Sequence, residues 1–513
     1  MPTEGRSTLC AKDTPQIKAA IAKLSKASKV SHGVDRLVGS LLGTGAQSLQ
    51  GIVTGERKVG AYDAPRTETG PLATRILLVR HGLSSFNLEG RIQGREDASK
   101  LSDPGMEQAR QVGRALCDIP LTAAFCSPLQ RAQLTAELAL QEQGQGLKAT
   151  STEQLLEIDL SPWSGLARAE VANRDPQQEL NWRQAPAELQ LQRADGSSYY
   201  PVRELRQQAE AFWQELQQRF PAEEDHSVLV VAHNGILRCL LLAALGLPAE
   251  HFNRYRINNA SLSVLNLRPG GQVQIESLNT VSHLGEALPK RSSGPRVLLV
   301  RHGETNWNRQ GRFQGQIDIP LNEQGHAQAH AAGEFLKTVA LDRAYTSSMS
   351  RPRQTAEAIL KLQGAPVPMT SCPGLVEIGH GAWEGCLEEE IRAGWPDLLA
   401  AWQSLPHTVE MPGEGGETIQ QVWDRSVQAF ARIVAGLGDG GTALVVAHDA
   451  VNKTILCHLL GLGPADIWAV KQGNGGVSVI DYSAGAQGDA VVASLNLTSH
   501  LGGVLDRTAA GAL

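Results

Sequence analysis

One stretch of this chain occurs twice. Arg75-Ile-Leu-Leu-Val-Arg-His-Gly82 returns as Arg296-Val-Leu-Leu-Val-Arg-His-Gly303, and Gly90-Arg-Ile-Gln-Gly94 returns as Gly311-Arg-Phe-Gln-Gly315. Leu155-Leu-Glu-Ile158 and Trp163-Ser-Gly165 recur as Leu375-Val-Glu-Ile378 and Trp383-Glu-Gly385, and Val230-Val-Ala-His233 as Val445-Val-Ala-His448. The ends match too: Ser277-Leu-Asn279 with Ser282-His-Leu-Gly285, then Ser494-Leu-Asn496 with Ser499-His-Leu-Gly502. The spacing runs from 215 residues, His233 to His448, up to 221, His81 to His302. A period that long means a duplicated domain rather than a solenoid. The Pro/Ser/Gly stretch 286–295 separates the copies as a linker, so the expected domains are 75–285 and 296–513, preceded by an extension, 1–74.

Within each copy, short apolar runs alternate with helical patterns. Ile76–Val79, Ser227–Ala232, Val297–Val300 and Thr442–Ala447 read as buried strands. Gly105–Leu116, Ile236–Leu245, Gly325–Leu336 and Val451–Leu460 read as helices. That rhythm predicts an α/β fold, each copy a mainly parallel sheet with helices on both faces.

The repeated polar residues follow the strands directly or one turn later. In a parallel sheet such positions fall at the carboxyl edge, where helix N-termini aim their N–H groups at ligands. Arg80, His81, Arg131, Glu157 and His233, matched by Arg301, His302, Arg351, Glu377 and His448, suit phosphoryl transfer. A neutral imidazole can attack phosphorus, while two guanidiniums and a protonated second histidine hold the equatorial oxygens. A carboxyl group can protonate the leaving alkoxide and then deprotonate water. A single Arg-His-Gly would mean little. The five-residue set, in the same order twice, is not a chance match.

Arg-His-Gly at a strand end, Ser-x-x-x-Arg-x-x-x-Thr-Ala, Glu-Ile-x-x-x-x-Trp-x-Gly and Ala-His resemble the histidine phosphatase superfamily, in its phosphoglycerate-mutase-like branch. Copy two is the nearer match, with Arg301-His-Gly-Glu-Thr-Asn-Trp-Asn308, Asp318-Ile-Pro-Leu321 and Gly415-Gly-Glu-Thr418. The resemblance implies two tandem histidine phosphatase domains with a phosphohistidine on His81 and His302. It implies phosphate-clamping roles for Arg80, Arg131, His233, Arg301, Arg351 and His448, and proton transfer by Glu157 and Glu377. Asn87, Gln93, Asn308 and Gln314 match the substrate-lining stretch. Both copies lack the long mutase insertion after the Glu motif, which favours hydrolysis over phosphate shuttling. The tandem form is similar to the phosphatases of 2-carboxy-D-arabinitol 1-phosphate, and also to proteins named α-ribazole phosphatase or phosphoglycerate mutase. The expected activity is hydrolysis of a small sugar or sugar-acid phosphate, without a metal or cofactor. The rival is a phosphate-binding regulator with one or both copies inert, which the presence of both Glu157 and Glu377 disfavours.

Copy one departs at its rim. Leu83-Ser-Ser85 stands against Glu304-Thr-Asn306, Asp97-Ala-Ser-Lys-Leu101 against Asp-x-Pro-Leu, and Val202-Arg-Glu-Leu205 against the Gly-Glu-Thr segment. After the second histidine, where the resemblance implies glycine, stand Asn234 and Asp449. A carboxylate there repels phosphate unless it points away.

The balance of 47 Lys+Arg against 53 Asp+Glu, net −6, carries no electrostatic footprint for nucleic acid. No apolar run reaches the roughly 18 residues of a membrane span. Seven unpaired-looking cysteines fit neither a disulfide framework nor a zinc site. The expected partner is therefore a small phosphorylated metabolite, not nucleic acid or a membrane, with oligomeric state left open. The first 74 residues carry ten Lys+Arg against six Asp+Glu. They read as a poorly ordered helical extension, dispensable for chemistry; the expected location is the cytoplasm, or a plastid if they form a transit segment.

Overall fold

The computed structural model describes residues 73–483 and 488–509; residues 1–72 of the extension fall outside them, and Thr74, its last residue, opens the first strand. In copy one the strands are β1 (Thr74–Arg80), β2 (Ala123–Cys126), β3 (Thr150–Ser151), a small separate hairpin of β4 (Leu191–Gln192) and β5 (Ser198–Tyr199), β6 (Ser227–Ala232), β7 (Leu262–Leu267) and β8 (Val273–Thr280). Copy two supplies β9 (Arg296–Arg301), β10 (Arg343–Thr346), β11 (Met369–Ser371), β12 (Thr442–Ala447), β13 (Val477–Tyr482) and β14 (Ala490–Leu497). The main sheet runs β11-β10-β12-β9-β13-β14-β8-β7-β1-β6-β2-β3.

In each half four strands are parallel, as expected: β3, β2, β6 and β1, and their counterparts β11, β10, β12 and β9. The inner two, β7 with β8 and β13 with β14, are antiparallel. They join the halves through a β8–β14 contact at Leu278 and Leu495. The two copies thus share one twelve-stranded sheet and form one compact unit.

Strand residues alternate between two cores because successive side chains point to opposite faces. Leu77, Val79, Leu229 and Val231 pack under α1 (Asp103–Ala115) and α2 (Gln130–Gln143). Ile76, Leu78, Val228 and Val230 pack under α3 (Pro201–Arg219) and α4 (Asn234–Ala244). Copy two repeats this with α5 (Glu323–Leu336) and α6 (Ser350–Leu360) on one face, α7 (Ile419–Ala435) and α8 (Asp449–Leu460) on the other. The α3/α4 core continues across the seam into the α7/α8 core through Tyr255, Ile275, Leu278, Val470, Val492 and Leu495.

The glycine of each Arg-His-Gly is fixed by a close approach. A Cβ on Gly82 would lie 2.3 Å from the Gly105 carbonyl oxygen, and one on Gly303 2.3 Å from that of Gly325. Ser102 and Asn322 cap α1 and α5 by accepting from the Gly105 and Gly325 amides, which sets those helix starts against the strand ends. Among the described residues no helix is long and apolar enough to cross a membrane.

Candidate active site

β1 and β6 are parallel neighbours with Arg80 opposite Ala232, so the residues after them, His81 and His233, meet at the carboxyl edge. The His81 amide donates to the Ala232 carbonyl at 2.9 Å, and the imidazole rings lie 5.1 Å apart. His302 and His448 meet in the same way, 5.2 Å apart. All four are buried.

His81 Nδ1 lies 2.7 Å from the Gly82 carbonyl oxygen, and His302 Nδ1 2.7 Å from that of Gly303. A carbonyl only accepts, so Nδ1 carries the proton and Nε2 keeps its lone pair. Burial, reinforced by Arg80 and Arg131, holds His81 well below the usual imidazole value; burial with Arg351 and Arg301 does the same for His302. Each first histidine is therefore a neutral imidazole with Nε2 free to act as a nucleophile.

The second histidines differ from the sequence expectation of a protonated clamp. Burial, then the neighbouring histidine and Arg131, depresses His233, and burial with Arg351 depresses His448. Two guanidiniums beside each second histidine already supply positive charge, so a third cation is unfavourable unless a dianion offsets them. His233 Nε2 contacts Ser127 Oγ at 2.7 Å, and His448 Nε2 contacts Ser347 Oγ at 2.8 Å.

The arginines are tied down at their tips. Arg80 Nη1 donates to the Ile257 carbonyl at 2.8 Å, Arg131 to the carbonyls of Glu96 and Gly94 at 2.8 and 2.9 Å. Arg351 repeats the Arg131 pattern on Ile317 and Gly315. Among the described residues, the buried nitrogens without a partner include six from these side chains: Nε of Arg80, Arg131, Arg301 and Arg351, and Nδ1 of His233 and His448. Buried polar groups are normally satisfied, so three orphaned nitrogens repeated in each copy mark a place for an acceptor-rich anion.

Glu157 is held at the N-terminus of α4. Its carboxylate accepts from the amides of Ile158 at 2.9 Å and of Gly235 and Ile236 at 3.1 Å. A Cβ on Gly235 would lie 2.5 Å from Glu157 Oε1; copy two carries Ala450 at that position, and there the amide stands 3.4 Å from Glu377 Oε2. Glu377 accepts from Ile378 and Asp449 at 3.0 Å, and burial, with the Asp449 charge added, pushes its carboxyl up. Asp449 itself is held by Lys453 Nζ at 2.7 Å and lies 3.6 Å from Arg301 Nη1, so two cations of the protein partly offset its charge.

Asn87, Gln93, Asn308 and Gln314 all line the pockets, but their side-chain oxygens are engaged by the loop: Asn87 and Gln93 accept from Ser84 Oγ, Asn308 and Gln314 from Thr305 Oγ1. Sequence reasoning singled out neither Ser127 and Ser347 nor Thr135 and Thr355, whose hydroxyls accept from the Gly82 and Gly303 amides. The Ser-x-x-x-Arg-x-x-x-Thr spacing was the available signal. Asn259 and Asn474, which donate to the His81 and His302 carbonyls at 3.1 Å, had none.

The two pockets differ in size. In copy one a cavity of about 170 Å³ opens from Arg80 and Glu157 past Asn234 toward Arg168, Trp182 and Phe252. In copy two only about 20 Å³ remains. There Phe313 and the buried His380 stand where copy one has Ile92 and Leu160, and Trp402 stacks edge-on against both His380 and Trp468. No group of three or more His, Cys, Asp or Glu among the described residues is placed to hold a metal ion.

The family model described as histidine phosphatase superfamily (branch 1) matches residues 76–280 and 297–496. The chain is 30% identical over 463 residues to 2-carboxy-D-arabinitol-1-phosphatase of Triticum aestivum, covering 84% of this chain and 87% of that one. Phosphoserine phosphatase 1 of Hydrogenobacter thermophilus is 34% identical over 207 residues, 40% of this chain and 94% of its own. Adenosylcobalamin/alpha-ribazole phosphatase of Salmonella typhimurium is 31% identical over 191 residues, 37% and 92%. With both matched stretches carrying the same buried histidine pair, arginines and carboxylate, the chain belongs to the histidine phosphatase superfamily, branch 1, as a tandem pair of that domain, and is a phosphoric monoester hydrolase.

Proposed function

We propose that each copy hydrolyses a phosphomonoester through a phosphohistidine, and that copy one acts on a sugar-acid phosphate of the kind named for the wheat relative. The observation that carries the chemistry is the repeated set of orphaned buried nitrogens around a histidine whose Nε2 is unprotonated. His81 Nε2 attacks phosphorus, and the bond from phosphorus to the ester oxygen breaks. Arg80, Arg131 and His233 hold the equatorial oxygens as charge shifts onto them. Glu157 delivers its proton to the departing alkoxide. Its carboxylate then takes a proton from water, which attacks the phosphohistidine and releases orthophosphate and neutral His81. Copy two follows the same course with His302, Arg301, Arg351, His448 and Glu377.

The rim of the larger cavity supports the acid-bearing substrate. Arg168, at the cavity edge, is close enough for its charge to act on Arg80, and copy two has Glu388 in its place. Asn234 lines the same cavity with a buried Oδ1 that has no partner, an acceptor for a substrate hydroxyl. The narrow pocket of copy two suits only the smallest phosphomonoesters.

Two outcomes test this. Hydrolysis of an aryl phosphate and of 2-carboxy-D-arabinitol 1-phosphate is expected to be unchanged by EDTA; activity lost on chelation and restored by Mg²⁺ or Zn²⁺ would show that the chemistry runs through a metal. Arg168→Ala is expected to raise KM for the sugar-acid phosphate by up to about tenfold with kcat nearly unchanged, as for a partly exposed charge contact. An equal rise for the corresponding neutral sugar phosphate would assign Arg168 to something other than the acid.

A further inference from the structure

The loops that bond Arg80 and Arg301, 255–260 in copy one and 470–475 in copy two, each touch both copies. On the site side, Arg80 donates to the Ile257 carbonyl and the Ala260 amide to that of Arg80 at 3.0 Å. Arg301 donates to the Gln472 carbonyl at 2.5 Å and the Gly475 amide to that of Arg301 at 3.1 Å. On the other side each loop is docked on the opposite copy. The Arg256 amide donates to Val492 at 3.2 Å, and the Lys471 amide to Ile275 at 2.9 Å. Tyr255 bridges to Val492 and Val470 to Ile275. Arg256 Nη1 pairs with Asp481 of β13 at 2.6 Å, and Lys471 Nζ lies 3.6 Å from Glu276 of β8.

The repeated Ser-Leu-Asn ends complete the tie. Asn279 and Asn496 are fully buried at φ of 56° and 49°, a conformation that asparagine tolerates better than most residues. Asn279 accepts from the Asn258 amide of its own loop at 2.7 Å and donates to the Ala493 carbonyl of the other copy at 2.6 Å. Asn496 accepts from Gly473 at 2.7 Å and donates to the Glu276 carbonyl at 2.8 Å. A path two or three residues long therefore runs from Arg80 and from Arg301, one clamp arginine of each copy, into the opposite half of the molecule.

We infer that each copy's phosphate clamp is positioned by the other copy through these crossed loops, with Arg256 and Lys471 as positioning residues. The sites are chemically complete but sterically interdependent, which rests on the reading of both as phosphatase sites. Arg256 is the informative position. Its side chain bonds only to Asp481, Lys290 and Ser292, none of them in copy one's site.

In the full-length chain, Arg256→Met is expected to slow phosphohistidine formation at His81 about tenfold, the scale of a small misplacement of a clamp, while His302 labels at its wild-type rate. Labelling is read on the two histidine peptides after rapid quench and digestion, so copy two serves as the folding control. Arg256→Lys should restore most of the rate, since copy two uses Lys471 at the same place. Hydrogen exchange, which needs no turnover, should speed up in Arg256→Met for peptides spanning 255–260 and 80–82 but not for 301–303. Unchanged labelling and exchange in copy one would overturn the inference, and so would a parallel loss at both histidines. A wild-type chain that never labels His81 would sink the proposed chemistry instead, and exchange alone would then decide the positioning role.

Discussion

Replacing both His81 and His302 by alanine is expected to leave a chain that forms no acid-labile phosphoenzyme and hydrolyses phosphomonoesters at least about 10⁴-fold more slowly, the scale of losing a covalent nucleophile. Either single replacement is expected to leave the other histidine labelled. The reason is that each copy holds its own imidazole with Nδ1 committed to a carbonyl, its own pair of guanidiniums and its own carboxylate, so neither borrows a reacting group. The single variants should also separate the substrate ranges. His302→Ala, with only the cavity of about 170 Å³ active, should retain the sugar-acid phosphate activity. His81→Ala, left with about 20 Å³, should retain activity only toward small substrates. If one single replacement removes all labelling with every substrate tried, the other copy is a structural or regulatory domain, and the two-site reading fails.

The second large effect concerns the proton. Glu157→Ala, measured in the His302→Ala background, should lower the hydrolysis of alkyl phosphomonoesters by about 10²–10⁴-fold, the usual range for a general acid. The loss should be much smaller for p-nitrophenyl phosphate, whose leaving group needs little help. An equal loss on both would mean that Glu157 acts by holding the start of α4, through its contacts with the Gly235 and Ile236 amides, rather than by giving a proton. Copy two adds a pH test. Burial and then the Asp449 charge push the Glu377 carboxyl up, so its acid form persists to higher pH. Asp449→Asn removes the like charge and should shift the alkaline limb of copy two's kcat to lower pH in the His81→Ala background. A shift to higher pH, or none, would show that Asp449 does not bear on the acid.

The duplication and the α/β class were legible in the residues alone, and so were the candidates proposed for the inner site. Those features are local: a short β-branched apolar run before Arg-His-Gly, repeated in both copies, reads as a buried strand ending at a sheet edge. The strand limits Ser227–Ala232 and Thr442–Ala447 could be read to the residue, because β6 and β12 are buried on both faces and show as unbroken apolar runs. The antiparallel strands at the seam had no such signal. β8 and β14 mix Glu276, Asn279, Ser494 and Asn496 into buried positions, and Asn279, Ser494 and Asn496 each donate to a backbone carbonyl of the opposite copy as well as bonding within their own. Ser277-Leu-Asn279 was visible as a repeat, but a repeat says that two segments are alike, not that they meet. The state of the second histidine, the pairing of Asp449 with Lys453 and the contrast between the two pockets also needed the tertiary structure. Charge and volume in a pocket depend on which distant side chains converge there, as in copy two, where His380 lines the pocket with Phe313 and Trp402 packed edge-on against it.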